Sequence, residues 1–171
     1  KFKSRTYTAL SGGNKCFVLM TRVEFGVLGA YNKHKKSPFE TFYVGGDGTS
    51  GYTSTYATET IGLRGYDNGS LTPNGYNGYA YDRCTVEVRY PFMLNNSTNI
   101  YGLVFAEGGN AWNNVKKFNP FDMKRSVGAG VRIFLPMVGL LGIGCAYGFD
   151  DVFGRKTYSG IHFHFILGQE F

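Results

Sequence analysis

No apolar run in this sequence approaches the ~20 residues of a membrane-spanning helix, so no helical crossing is written into it. Cysteine is scarce and odd in number. Cys16, Cys84 and Cys145 lie far apart, which excludes a disulfide framework and a zinc-ligand pattern. Cys84 and Cys145 fall on apolar strand faces and read as packing residues. Basic clusters are also missing. The formal net charge is +6, but the densest run is Lys33, Lys35 and Lys36 in a loop, which is no footprint for nucleic acid. The chain opens on Lys-Phe-Lys-Ser-Arg without a signal peptide and inside a strand pattern, so a piece of a longer protein is expected. Against 1 Trp and 5 Pro stand 25 Gly, 13 Tyr and 15 Phe. Gly with Tyr and Phe at this density suggests strands running between aromatic girdles.

The 171 residues suffice for one domain with a sizeable core. Period-two alternation recurs along them in about seven segments, near 2–10, 16–31, 79–93, 98–112, 126–137, 139–150 and 160–171. Breaks are short on one side: Ser11-Gly12-Gly13-Asn14, Asn95-Asn96-Ser97 and the corner from Pro136 to Gly139. They are long on the other, at 32–78, 113–125 and 151–159. Short turns at one end with long loops at the other is the pattern of an outer-membrane barrel. In 84–90, Cys84, Val86, Val88 and Tyr90 oppose Thr85, Glu87 and Arg89. In 100–107, Ile100, Val104 and Ala106 oppose Tyr101, Leu103, Phe105 and Glu107. In 141–149 a bulky apolar face backs onto Gly142, Gly144, Ala146 and Gly148, bare enough for something to pack closely inside. A soluble antiparallel sheet with an ordinary core would alternate in the same way. The fold class expected is all-β, an antiparallel up-and-down meander with little helix. Seven strands leave two open edges, which hydrocarbon does not tolerate, so this segment alone is not expected to be the working membrane unit.

The longest break is the least like a linker. From Pro38 to Pro73 it is rich in Gly, Tyr and Thr and carries one arginine, Arg64, within Leu63-Arg64-Gly65-Tyr66. Long loops in compact domains are usually functional or disordered, and this one has too many aromatics for disorder.

At this point the residues resemble a family. The runs PFETFYVGGDGTSGY and ETIGLRGYDNGSLTP are similar to the sixth extracellular loop of the BamA family of outer-membrane assembly factors, in the surface-antigen superfamily. The GGDG and LTP details resemble its Bacteroidetes branch. Phe105-Ala106-Glu107-Gly108-Gly109-Asn110-Ala111-Trp112 resembles the family's aromatic-x-acid-x-Gly-x-x-Trp strand. Ser126 to Arg132, followed by Leu135-Pro136-Met137, resembles its next strand and turn, and Phe171 matches the terminal aromatic of outer-membrane barrels. Leu63 and Tyr66 stand where many members carry Val and Phe, which keeps the apolar and aromatic character.

The resemblance implies that residues 1–171 are one domain, the C-terminal part of a roughly sixteen-stranded transmembrane barrel in the outer membrane of a Gram-negative cell. The long extracellular loop is 32–78, and the first strands and the periplasmic domains are absent. It implies an insertase that folds client barrels without bond chemistry and without a cofactor. Its partners would be unfolded clients, lipoprotein accessory subunits and outer-membrane lipid. The loop tip would enter the barrel, where Arg64 would meet an acid. Alternation puts Glu87 and Glu107 on the inner face, and directly opposed residues on paired strands would bring both carboxylates to one guanidinium. Gly65 would allow close approach to the wall, and Tyr66 and Phe105 would pack around the pair. The last strand, with Phe163, Phe165, Gly168 and Phe171, would be one side of a weakly paired seam at which a client strand could add. Gly160 and Gly168 at its ends are explained as well by simple turn geometry.

Two other classes compete. For an enzyme, no serine stands in a GxSxG context, and His162 and His164 share a strand face without a third ligand at suitable spacing. For a small calyx around an apolar ligand, the odd strand number and the long loop are poor fits. A secretion pore of the same superfamily fits this half nearly as well. An isolated fragment is expected to self-associate through its open edges.

Overall fold

The computed structural model describes residues 1–13, 16–29, 40–46, 59–75, 78–94, 98–136, 139–152 and 158–167. Seven long strands follow one another as an antiparallel meander: β1 (Phe2–Ala9), β2 (Val18–Val27), β5 (Ala80–Leu94), β6 (Asn99–Trp112), β7 (Lys124–Leu135), β8 (Gly139–Asp151) and β9 (Tyr158–Leu167). They agree with the seven alternating segments of the sequence to within a few residues at each end. The long break between β2 and β5 is not free of strands, as the sequence had suggested. It holds β3 (Phe42–Val44) and β4 (Glu59–Ile61), which pair in parallel. Each spans three residues, too short for period two to register in the sequence.

Register explains how the sheet sorts its residues. Val86, Ala106, Val127, Tyr147 and Ile161 form one row across the strands, and Val88, Val104, Ala129, Cys145 and Phe163 form the next. These rows make an outer face that stays open: Val104 is 64% exposed, Ile143 65% and Phe163 83%. Soluble domains rarely leave so continuous an apolar surface, whereas lipid-facing strands require one. The opposite rows carry Arg22, Thr85, Glu107, Ser126 and Gly148, then Met20, Glu87, Phe105, Gly128, Ala146 and His162. On this inner face charge is buried, including Arg22, Glu24, Arg83, Glu87, Glu107 and Arg132.

The loop covers the inner face and brings its own core. Phe42, Val44, Ile61, Leu63, Tyr66 and Leu71 cluster with Tyr81 of β5 and Ala111 of β6. Its limbs are stitched by Gly45 N–H to Ile61 O at 3.0 Å, Leu71 N–H to Val44 O at 3.2 Å and Val44 N–H to Thr72 Oγ1 at 2.8 Å. Phe42 N–H to Gly78 O, at 2.8 Å, ties the outgoing limb to the return into β5. None of the described helical segments is long and apolar enough to cross a membrane, and both are short 3-10 turns, Pro73–Gly75 and Val115–Lys117.

A charge on the outer face at mid-strand should therefore be costly. Ile143→Arg is expected to weaken folding into phospholipid vesicles by about 2–4 kcal/mol in urea titrations, and Ile143→Leu to leave it nearly unchanged.

Candidate functional site

The loop tip turns at Leu63-Arg64-Gly65-Tyr66, and each residue is buried for a different reason. Leu63 pairs its backbone with Gly46 and packs its side chain into the loop core beside Gly109 of β6. Tyr66 is fully buried, and its hydroxyl donates to Arg125 O at 2.7 Å. Burial pushes that hydroxyl up to about 12, so it stays a donor at neutral pH. These two apolar anchors hold the arginine between them against the wall.

Arg64 is 1% exposed. Its Nη2 donates to Glu107 Oε1 at 2.7 Å and to Glu87 Oε2 at 3.1 Å, while its backbone N–H donates to Glu107 Oε2 at 2.9 Å. The guanidinium carbon sits 3.4 Å from the Phe105 ring centroid, a stacked cation–π arrangement. Burial alone would lower the Arg64 pKa; the charges of Glu107 and Glu87 outweigh it and hold the group above the ordinary arginine range. Glu107 also accepts from Arg83 Nη2 at 2.8 Å and Thr85 Oγ1 at 3.1 Å, and Glu87 accepts from Arg89 Nε at 2.6 Å. The result is a chain of alternating charge, Arg83–Glu107–Arg64–Glu87–Arg89, in which each carboxylate is shared.

One expectation changes in detail. Glu87 and Glu107 are not directly opposed. The β5–β6 register sets Glu87 against Phe105 and Thr85 against Glu107, so the two acids are diagonal neighbours. Diagonal residues still lie within reach of a long side chain. The offset leaves Phe105 free to stack on the cation that both acids bind.

Close approach is made possible by the bare face of β8. Gly65 has φ +91°, which disfavours any side chain, and a Cβ there would fall 2.8 Å from Ser126 Cβ. A Cβ on Gly148 would collide with Gly65 O. The tip thus presses its backbone against β7 and β8. Beyond them it meets β9: Gly65 N–H donates to His164 Nε2 at 2.9 Å, and Asp67 Oδ1 lies 3.3 Å from His162 Nδ1.

The structure brings together Leu63, Arg64, Gly65, Tyr66, Glu87, Glu107 and Phe105. It puts Phe163 and Phe165 on the outer face, away from the tip, while Gly168 and Phe171 lie outside the described residues. Arg83, Thr85 and His164 complete the seat and were not singled out as its partners from sequence. Alternation assigns all three to the inner face, but it does not say which of them a loop will reach. Among the described residues no group of His, Cys, Asp and Glu is arranged to hold a metal ion.

A family model described as the Omp85 superfamily domain matches residues 1–171. Outer membrane protein assembly factor BamA of Neisseria meningitidis serogroup B is 27% identical over 131 residues, covering 70% of this chain. The chain matches only 14% of that relative's length.

The seat predicts how the tip is released. Gly148→Val is expected to push it off β8 and open the Arg64–Gly65 bond to trypsin in intact membranes, read as a new cleavage product; Ile143→Val, on the far side of the same strand, should leave the bond protected.

Proposed function

Starting from the fact that this chain belongs to the Omp85 superfamily, whose barrels sit in the outer membrane and are not enzymes, we propose that it is part of an insertase that folds and inserts β-barrel clients. The observation that carries this reading is the seated loop tip, with Arg64 held by Glu107 and Glu87 on the barrel wall. The similarity to an outer-membrane assembly factor supports it, and so does the resemblance of the loop to the Bacteroidetes branch of that family. In this reading the sequence is the C-terminal part of the barrel, and the rest of the protein supplies the first strands and the periplasmic domains.

The work done is strand exchange rather than bond chemistry. A buried ion pair fixes the loop in one place, and the fixed loop braces the wall while a neighbouring edge opens. The opening edge is assigned to β9, where Phe163 and Phe165 face lipid and an exposed row of backbone groups would template a client strand. The β8–β9 ladder is already interrupted, with a register shift between Gly148 and Asp151, and Gly160 adopts φ +84°. Partners would be unfolded barrel clients, lipoprotein accessory subunits and the surrounding lipid. A secretion pore of the same superfamily would share this half of the barrel but would export a soluble partner instead of inserting clients.

Charge reversal in the full-length protein tests the proposal. Arg64→Glu removes one partner of a buried pair, a loss of about 3–5 kcal/mol in the seat, and should abolish client insertion. Adding Glu107→Arg should recover part of it. Insertion that survives the single change would remove the loop from the mechanism. Export of a soluble partner with no client insertion by the unaltered protein would favour the pore.

A further inference from the structure

The contacts of the loop tip divide between two walls. Arg64 is bound by β5 and β6, whereas the next residue, Gly65, is bound by β9 through His164. Asp67 adds a second contact to the same strand through His162. The imidazole centroids lie 6.3 Å apart with the rings inclined at 29°, both on the inner face. They reach the tip because β8, which lies between, presents no bulk: His164 is registered with Gly144 and His162 with Ala146. His162 Nε2 is itself held by Ser159, 2.9 Å from Oγ and 3.0 Å from the carbonyl.

The position of these contacts matters more than their number. β9 lies at one end of the seven-stranded order, paired to β8 on one side. Its ladder to β8 shifts register between Gly148 and Asp151, and Gly148 is the residue on which Gly65 rests. Ser159 and Gly160, beside the shift, belong to the same cluster. The loop therefore touches β9 at His162 and His164, a few residues from the shift in register.

We propose that His164 is a positioning residue that couples the loop tip to β9, so that β9 keeps its pairing next to the register shift only while the tip is seated on Glu107 and Glu87. The acceptor is Nε2, so the imidazole carries no proton there and the hydrogen bond runs from the loop to the strand. Seating and edge opening are then opposed: the edge cannot peel back without giving up Gly65, and a tip pulled from its carboxylates leaves β9 without its brace. The coupling is independent of what the barrel does; its consequence for client insertion rests on the reading proposed above.

Hydrogen–deuterium exchange of the full-length protein in lipid nanodiscs tests this. His164→Ala should speed exchange of the amides of 161–165 and of the loop tip by roughly three- to tenfold, the factor implied by one lost hydrogen bond, with the amides of β5 and β6 unchanged. His164→Gln, whose side-chain oxygen reaches about as far as Nε2, should restore protection. Arg64→Ala removes the contacts to Glu87 of β5 and to Glu107 and Phe105 of β6, yet it should speed exchange in β9 as well. Unchanged β9 exchange in both alanine variants would overturn the proposal. A rise spread evenly over the sheet, or one that His164→Gln does not reverse, would also overturn it. Client insertion measured on the same samples is a separate readout: altered exchange with normal insertion would leave the coupling standing and remove its functional consequence.

Discussion

A guanidinium taken out of water must be met by carboxylates, and the inner face of this sheet is organised around that demand. Desolvating each ion of such a pair costs several kcal/mol, which attraction repays only if geometry is good and the remaining donors are satisfied. Glu107 meets the condition by accepting from Arg64 twice, from Arg83 and from Thr85. Phe105 covers the flat side of the cation. Such a cluster contributes little net stability compared with an apolar core of equal volume. What it supplies is a single address. A loop that begins at β2 and ends at β5 has many ways to lie on a sheet, and one of them sets Arg64 between Glu107 and Glu87.

The two faces of β8 show how one strand serves both sides of a membrane wall. Outward it presents Ile143, Cys145, Tyr147 and Phe149, all exposed to the side that faces lipid. Inward it presents Gly142, Gly144, Ala146 and Gly148. Bulk on the first face matches hydrocarbon, and its absence on the second lets a second layer of backbone lie against the sheet. The side chains that grip this layer come from strands on either side: Glu107 from β6, beyond β7, and His162 and His164 from β9. A bulky inner residue on β8 would separate the two grips.

The seven long strands, their face assignment and the loop as the unusual element were legible in the sequence because alternation repeats on each of those strands. Register was not. Alternation tells that Glu87 and Glu107 share a face but not that their strands are offset by two residues. The register also shifts at an irregularity between Pro91 and Met93. The strands β3 and β4 escaped for a related reason: three residues show no period, and their pairing is imposed by a core that forms only when the loop folds back on itself. His164 was readable as an inner polar residue, yet its partner is the backbone of Gly65, and a backbone N–H has no signature in a side-chain pattern.

The bond from Gly65 to His164 joins residues 99 apart, and Arg64 and Glu107 are 43 apart. Chain closure becomes more costly with separation, and contacts of long range form late. As the strands assemble in order, the arginine finds its acids once β6 is in place, but the glycine must wait for the ninth strand. Between those events the tip is half docked. Completing it is therefore a record of the chain's own maturation: the loop is fully home only after β9 has arrived and taken the correct register, and a sheet assembled one step out of phase would leave an amide facing no acceptor.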